Sequence, residues 1–122
     1  MNSKFYVSLE AARLLKEKGY NEVTNGVWNG FFGDMRISPQ NGGYRNLDYP
    51  DDMQLYSAPT KAEAIDWLES KGIIVETFYL RFDQEWFYDV FVLSTRESYT
   101  SDDLHSRLEA EEAAIIKALE LL

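Results

Sequence analysis

Between residues 60 and 94 the apolar spacing changes once, from a helical period to a strand period, and a single glycine marks the change. Thr60 and Glu63 have the spacing of a capping box, in which the hydroxyl accepts from the Glu63 amide and the carboxylate reaches back to the Thr60 amide. At about 100° per residue, Ala64, Ile65, Trp67 and Leu68 fall on one arc, with Asp66, Glu69 and Ser70 on the other. The spacing predicts a helix over 60–71 that buries one face and stops at Gly72. Residues 73–81 and 86–94 are β-branched and aromatic runs joined through Asp83, Gln84 and Glu85, the signature of a hairpin. A helix followed by an antiparallel pair is the building unit, led in by the extended Tyr56, Ser57, Ala58 and Pro59.

In the first strand Ile74, Phe78 and Leu80 alternate with Ile73, Val75 and Tyr79, so both faces are apolar, as in a strand covered on each side. In the second, Trp86, Tyr88, Val90 and Val92 point one way and Phe87, Asp89, Phe91 and Leu93 the other, which leaves Asp89 alone in an apolar row. Residues 94–101 read as a polar connection. Ser106 and Glu109 repeat the capping-box spacing and open a helix to the C-terminus, with Leu108, Ile115, Leu119 and Leu122 as its buried stripe. Glu112 falls inside that stripe. It needs a cationic partner, backbone donors or an open end of the core, and it marks either an interface or a solvated overhang.

Towards the N-terminus, Ser8 caps a first helix with Ala11, Ala12, Leu14 and Leu15 on its apolar face and Gly19 past its end. A shift of 53 residues lays this helix on the one at 60–71: either an internal helix–strand–strand duplication, or two amphipathic helices that happen to end alike. Asn25-Gly26, Asn29-Gly30 and Gly33-Asp34 are all legal two-residue hairpin turns. Placing the turn at Gly33-Asp34 pairs residues 27–32 with 35–38 and makes Asn29-Gly30 a bulge. Residues 38–53, with two prolines, Gly42-Gly43 and three aspartates, read as a long loop and the first place to look for a binding surface. The fold expected is α+β, in the order α-β-β-α-β-β-α, with an antiparallel sheet covered by helices in one domain, 1–122. Ile65, Leu68, Val75, Phe78 and Leu119 are its expected common core.

Composition narrows the chemistry. With no cysteine there is no thiolate nucleophile, disulfide or Cys-ligated metal. Against 12 basic residues stand 21 acidic ones, and a formal charge of −9 disfavours direct binding to nucleic acid or to anionic lipid. No apolar run approaches the roughly 20 residues of a membrane helix, and the N-terminus lacks the apolar core of a leader, so a cytoplasmic protein is expected. The one histidine, His105, lies four residues before Glu109, a spacing that could share a metal; one imidazole among carboxylates suits zinc or iron poorly, and no metal or other cofactor is expected. Triad chemistry has no base elsewhere.

The candidate binding residues are therefore side chains with reach: Tyr44, Arg45 and Tyr49 in the loop, Trp28 and Trp86 (with Phe31) among the aromatics, and Glu112. Ser57-Ala58-Pro59-Thr60, Ala64-Ile65-Asp66-Trp67-Leu68, Lys71-Gly72-Ile73 and Glu112-Ala113-Ala114-Ile115-Ile116-Lys117-Ala118-Leu119 together resemble small uncharacterised proteins from phages, prophages and mobile elements of gut Bacteroides-type bacteria. The resemblance covers residues 56–122. It implies an accessory protein of such an element and transfers no catalytic or binding residue. Three functions fit: a non-enzymatic protein-interaction module, self-associating or with another partner; an acidic inhibitor that imitates DNA; and a small hydrolase with an Asp/Glu site. A regular double row of carboxylates marks the second, a cleft of convergent acids the third, and an apolar or aromatic patch the first.

Overall fold

The computed structural model describes residues 3–37 and 43–122, which form an α+β protein of two compact units, Met1–Thr60 and Lys61–Leu122. Each unit carries its own three-stranded antiparallel sheet, so the strands expected in one sheet are divided between two.

The first unit opens with α1 (Leu9–Glu17), started by Ser8, whose hydroxyl accepts from the Ala11 amide at 3.1 Å, and ended at Gly19, whose φ of +92° few other residues adopt. Ala11, Ala12 and Leu15 are buried. The sheet consists of β1 (Gly26–Asn29), β2 (Asp34–Ile37) and β3 (Leu55–Ala58), in the order β2-β1-β3. β3 is the stretch expected to be only a lead-in to the next helix; it pairs along the whole of β1 instead. α1 lies against β3, with the Arg13 guanidinium 5.5 Å from the centre of the Tyr56 ring. Tyr56 pairs with Trp28, whose indole donates to the Val7 carbonyl at 2.9 Å, so this sheet face is the helix side.

The second unit runs α2 (Lys61–Ser70), β4 (Ile73–Leu80), β5 (Glu85–Val92), β6 (Glu97–Thr100) and α3 (Arg107–Glu120), with sheet order β4-β5-β6. The predicted polar connection after β5 is in fact β6, and its pairing with β5 is extended by Ser101 against Tyr88 and Leu104 against Trp86. Alternating Glu97, Ser98, Tyr99 and Thr100 carry too little apolar signal to read as a strand; backbone pairing with β5 decides. α3 packs on β4 and β5 and against α2. Of its expected stripe Ile115 and Leu119 are buried, whereas Leu108 is half-buried and Leu122 38% exposed; Ala110, Ala114 and Ala118 complete the buried face, because alanine lets the helix sit close to its neighbours. Leu68, Val75 and Leu119 are buried as expected, whereas Ile65 is half-buried and Phe78 faces away from Val75.

The element order is thus α-β-β-β-α-β-β-β-α. Both units hold a helix followed by a hairpin, but the third strand joins the first hairpin strand in one unit and the second in the other. The three hairpins of the described residues close alike. The pairs Asn29/Asp34, Leu80/Glu85 and Val92/Glu97 each enclose a four-residue loop whose last residue, Gly33, Gln84 or Arg96, is left-handed (φ +70°, +56° and +63°) and donates its amide back across the loop at 2.8 Å. The first loop therefore replaces the two-residue turn and bulge expected there. Asn29 does not bulge: its side-chain oxygen accepts from the Phe31 and Phe32 amides at 2.9 and 3.3 Å and shapes the loop.

Candidate binding cleft

Residues 38–42, the start of the expected long loop, lie outside the described residues. From Gly43 onward the chain is fastened to the unit at successive points. A Cβ on Gly43, whose φ is +78°, would stand 2.5 Å from the Thr24 carbonyl oxygen, so glycine alone allows this approach. Tyr44 and Thr24 then exchange two backbone hydrogen bonds, of 2.7 and 2.8 Å, and the buried Thr24 hydroxyl donates to the Gly26 carbonyl at 2.8 Å. Short 3-10 turns follow at Asn46–Asp48 and Asp51–Met53.

Asn46 is the central fastening. It is buried; its amide nitrogen donates to the Tyr20 carbonyl at 2.8 Å and its oxygen accepts from the Ser57 amide at 2.9 Å. One side chain thereby satisfies two buried backbone groups and ties the loop both to the chain leaving α1 and to β3. On the far side of the loop, the Lys16 ammonium donates to the carbonyls of Tyr49 and Leu55 at 3.1 and 3.2 Å and stands 3.6 Å from Asp51.

These fastenings set Tyr44 and Tyr49 over the sheet face opposite α1. Val27 lies across from Arg36, and Asn29 across from both Asp34 and Leu55, so the five side chains share that face. With the two tyrosines they enclose a cleft of ≈ 220 Å³. Its floor is apolar, Val27 and Leu55, and its rim holds a guanidinium, a carboxylate, an amide and two phenols. Among the described residues, neither the side chains of Asp34 and Arg36 nor the hydroxyls of Tyr44 and Tyr49 are engaged in a hydrogen bond or ion pair. Burial pushes the Tyr49 hydroxyl above its ordinary pKa, helped by the charge of Asp48 and by Tyr44. At neutral pH it is therefore a protonated group that can both donate and accept. A second depression of ≈ 240 Å³ adjoins the other side of Tyr49, lined by Lys16, Tyr20, Asn46 and Asp51 among others.

Of the residues singled out in the sequence, the structure brings Tyr44 and Tyr49 together. Arg45 is exposed on the same loop outside the cleft, and Trp28 is committed to the helix side of the sheet. Phe31 is 68% exposed at the first hairpin loop. Trp86 belongs to the second unit, tilted against Tyr79 at a ring distance of 5.6 Å. Glu112 is half-buried on α3 and, with Glu111, favours the charged form of the buried Lys61, whose ammonium burial pushes below the ordinary lysine value. His105 stands 3.7 Å from Glu85, and among the described residues no group of three or more His, Asp and Glu side chains could hold a metal. Asn29, Asp34 and Arg36 were missed by sequence reasoning; the signal that could have found them was the strand alternation beside Val27, hidden by the wrong turn. No family model matches the chain, and neither a curated protein nor a solved structure matches it.

Proposed function

We propose that this chain is a non-enzymatic protein-interaction module of the cell interior, an accessory protein in the sense implied by residues 56–122, and that the cleft of the first unit is its recognition site. The observation that carries this reading is the meeting of Tyr44 and Tyr49 with Asn29, Asp34 and Arg36 over an apolar floor. Aromatic walls with unspent polar groups at the rim are how protein surfaces take up a partner's anchoring side chain. Size argues the same way: ≈ 220 Å³ is below the roughly 300–1,000 Å³ of small-molecule and cofactor sites and suits one inserted side chain. The charge of −9 weighs against a nucleic-acid partner, and no described helix is long and apolar enough to cross a membrane.

Selection from a random-peptide display library tests this. Among the peptides retained by the wild type there should be a class that is lost from the variant with Tyr44→Ala and Tyr49→Ala and that on titration shifts the NMR signals of Val27, Asn29 and Leu55. A selection in which no retained peptide is lost from the double variant, or in which those that are lost leave the three signals unmoved, would contradict it.

A further inference from the structure

The second unit carries a different surface. The ring of Tyr99 lies under the Lys117 ammonium at 4.8 Å, and Tyr99 pairs with Val90, which pairs with Val75, so α3 covers the face of these three residues. On the opposite face the rows are Ile74 beside Phe91, Glu76 beside Asp89, and Phe78 beside Phe87, the last two rings stacked 5.7 Å apart. Two carboxylates thus sit directly across from one another in the middle of an apolar face, an arrangement that destabilises an antiparallel pair. Thr100 donates to Asp89 at 3.0 Å, but no cationic side chain of the described residues pairs with either acid. Glu76 is exposed, Ile74, Phe78, Asp89 and Phe91 are half-buried, Phe87 is buried beside Phe78, and Leu80 and Leu93, at the two ends of the face, are 40% and 51% exposed.

We propose that this face docks an extended peptide segment of a partner protein with an arginine or lysine between two apolar side chains. Successive rows on one face of a strand are roughly 7 Å apart, the spacing of alternate residues in an extended peptide, so a central cation meets Glu76 and Asp89 while its neighbours two positions away meet Ile74 with Phe91 and, on the other side, Phe78, which is backed by the buried Phe87. Charge complementarity selects this occupant. A second copy of the chain would bring four carboxylates together, and a surface of anionic lipid would repel the pair.

The probe is the peptide Gly-Phe-Ser-Arg-Ser-Phe-Gly with blocked ends, titrated to low millimolar concentration against the full chain by NMR, beside the same peptide with norleucine for arginine. The arginine peptide should shift the signals of Glu76, Asp89 and Phe87 and bind about tenfold more tightly than the norleucine peptide. Replacing Glu76→Gln and Asp89→Asn together should abolish that preference and at the same time raise the melting temperature, since the same pair that attracts the peptide opposes folding. Equal binding of the two peptides, absence of any shift, an unchanged preference in the double variant, or competition by self-association seen in sedimentation would overturn the proposal. Tyr44 and Tyr49 take no part in it, so its failure leaves the reading of the first unit untouched.

Discussion

The two units reach a fixed structure by different means. In Lys61–Leu122 two eight-residue strands and a 14-residue helix bury Leu68, Ile73, Val90, Ile115 and Leu119 almost completely, and packing of apolar side chains decides the arrangement. In Met1–Thr60 the strands have four residues each, and the segment 43–54 is held by the backbone pairing of Tyr44 with Thr24 and by single polar side chains reaching across the unit, Asn46 and Lys16. A unit built on packing presents regular faces, whereas one built on directed hydrogen bonds can hold an irregular segment still enough to wall a cleft.

The contrast breaks most visibly on substitution of a core side chain in the second unit. Leu68→Ala should lower unfolding stability by about 2–5 kcal/mol, measured by urea denaturation. A loss below about 0.5 kcal/mol would mean that the helix face is not packed as described. In the first unit the comparable loss should come from a polar residue. Asn46→Ala strands the Tyr20 carbonyl and the Ser57 amide and should cost about 2–3 kcal/mol, although no apolar surface of consequence is removed. If Asn46→Ala were silent, the loop would owe its position to something else.

That difference also decides what could be read from the residues. The helix at 60–71, the hairpin after Gly72 and the caps at Ser8 and Ser106 are local patterns, and they stand in the structure within a residue or two; the left-handed stops at Gly19 and Gly72 were equally plain. Asn46 and Lys16 act across 26 and 33 residues of chain, and nothing in their neighbourhood announces it. β6 was missed because its pairing, not its composition, makes it a strand. Within the cleft the tyrosines were legible as aromatics in a long loop, while Asn29, Asp34 and Arg36 required the register of β1 and β2, which a four-residue loop shifted.

The hairpin loops sharpen the comparison at smaller scale, since the left-handed position is filled by glycine in the first unit and by Gln84 and Arg96 in the second. Arg96→Gly should therefore gain about 0.5–1 kcal/mol and Gly33→Ala lose about 1 kcal/mol, both from melting curves. Equal signs for the two would contradict the assigned backbone.

The smallest effect is one of pH and concerns Lys61. Burial lowers its pKa in the folded state, against the pull of Glu112 and Glu111, so between that lowered value and the ordinary lysine value near 10.4 the unfolded chain binds more protons. Lys61 consequently opposes folding at neutral pH, and the handicap fades as pH rises through this window. The stability of the wild type relative to Lys61→Met should increase over it, measured as melting temperature against pH, and Glu112→Leu, by removing one favourable carboxylate, should move the rise to lower pH. A difference that is flat or falls with pH would show that the ammonium is not held at a disadvantage. Tyr49 and Tyr88, raised by burial, work in the opposite sense above about pH 10, which is why the comparison is made against the variant and not on the wild type alone.

The central claim is that the segment carrying Tyr44 and Tyr49 is a fixed wall of the cleft, fastened by directed hydrogen bonds, the Thr24–Tyr44 backbone pair and the Asn46 and Lys16 side chains, rather than by apolar packing. Amide hydrogen exchange at Tyr44 and Ser57 measures this directly, because the first amide donates to the Thr24 carbonyl and the second to the Asn46 side chain. Both should exchange as slowly as the paired amides of β1, and Asn46→Ala should release the two together. Free exchange at Tyr44 in the wild type, with the β1 amides still protected, would contradict the account.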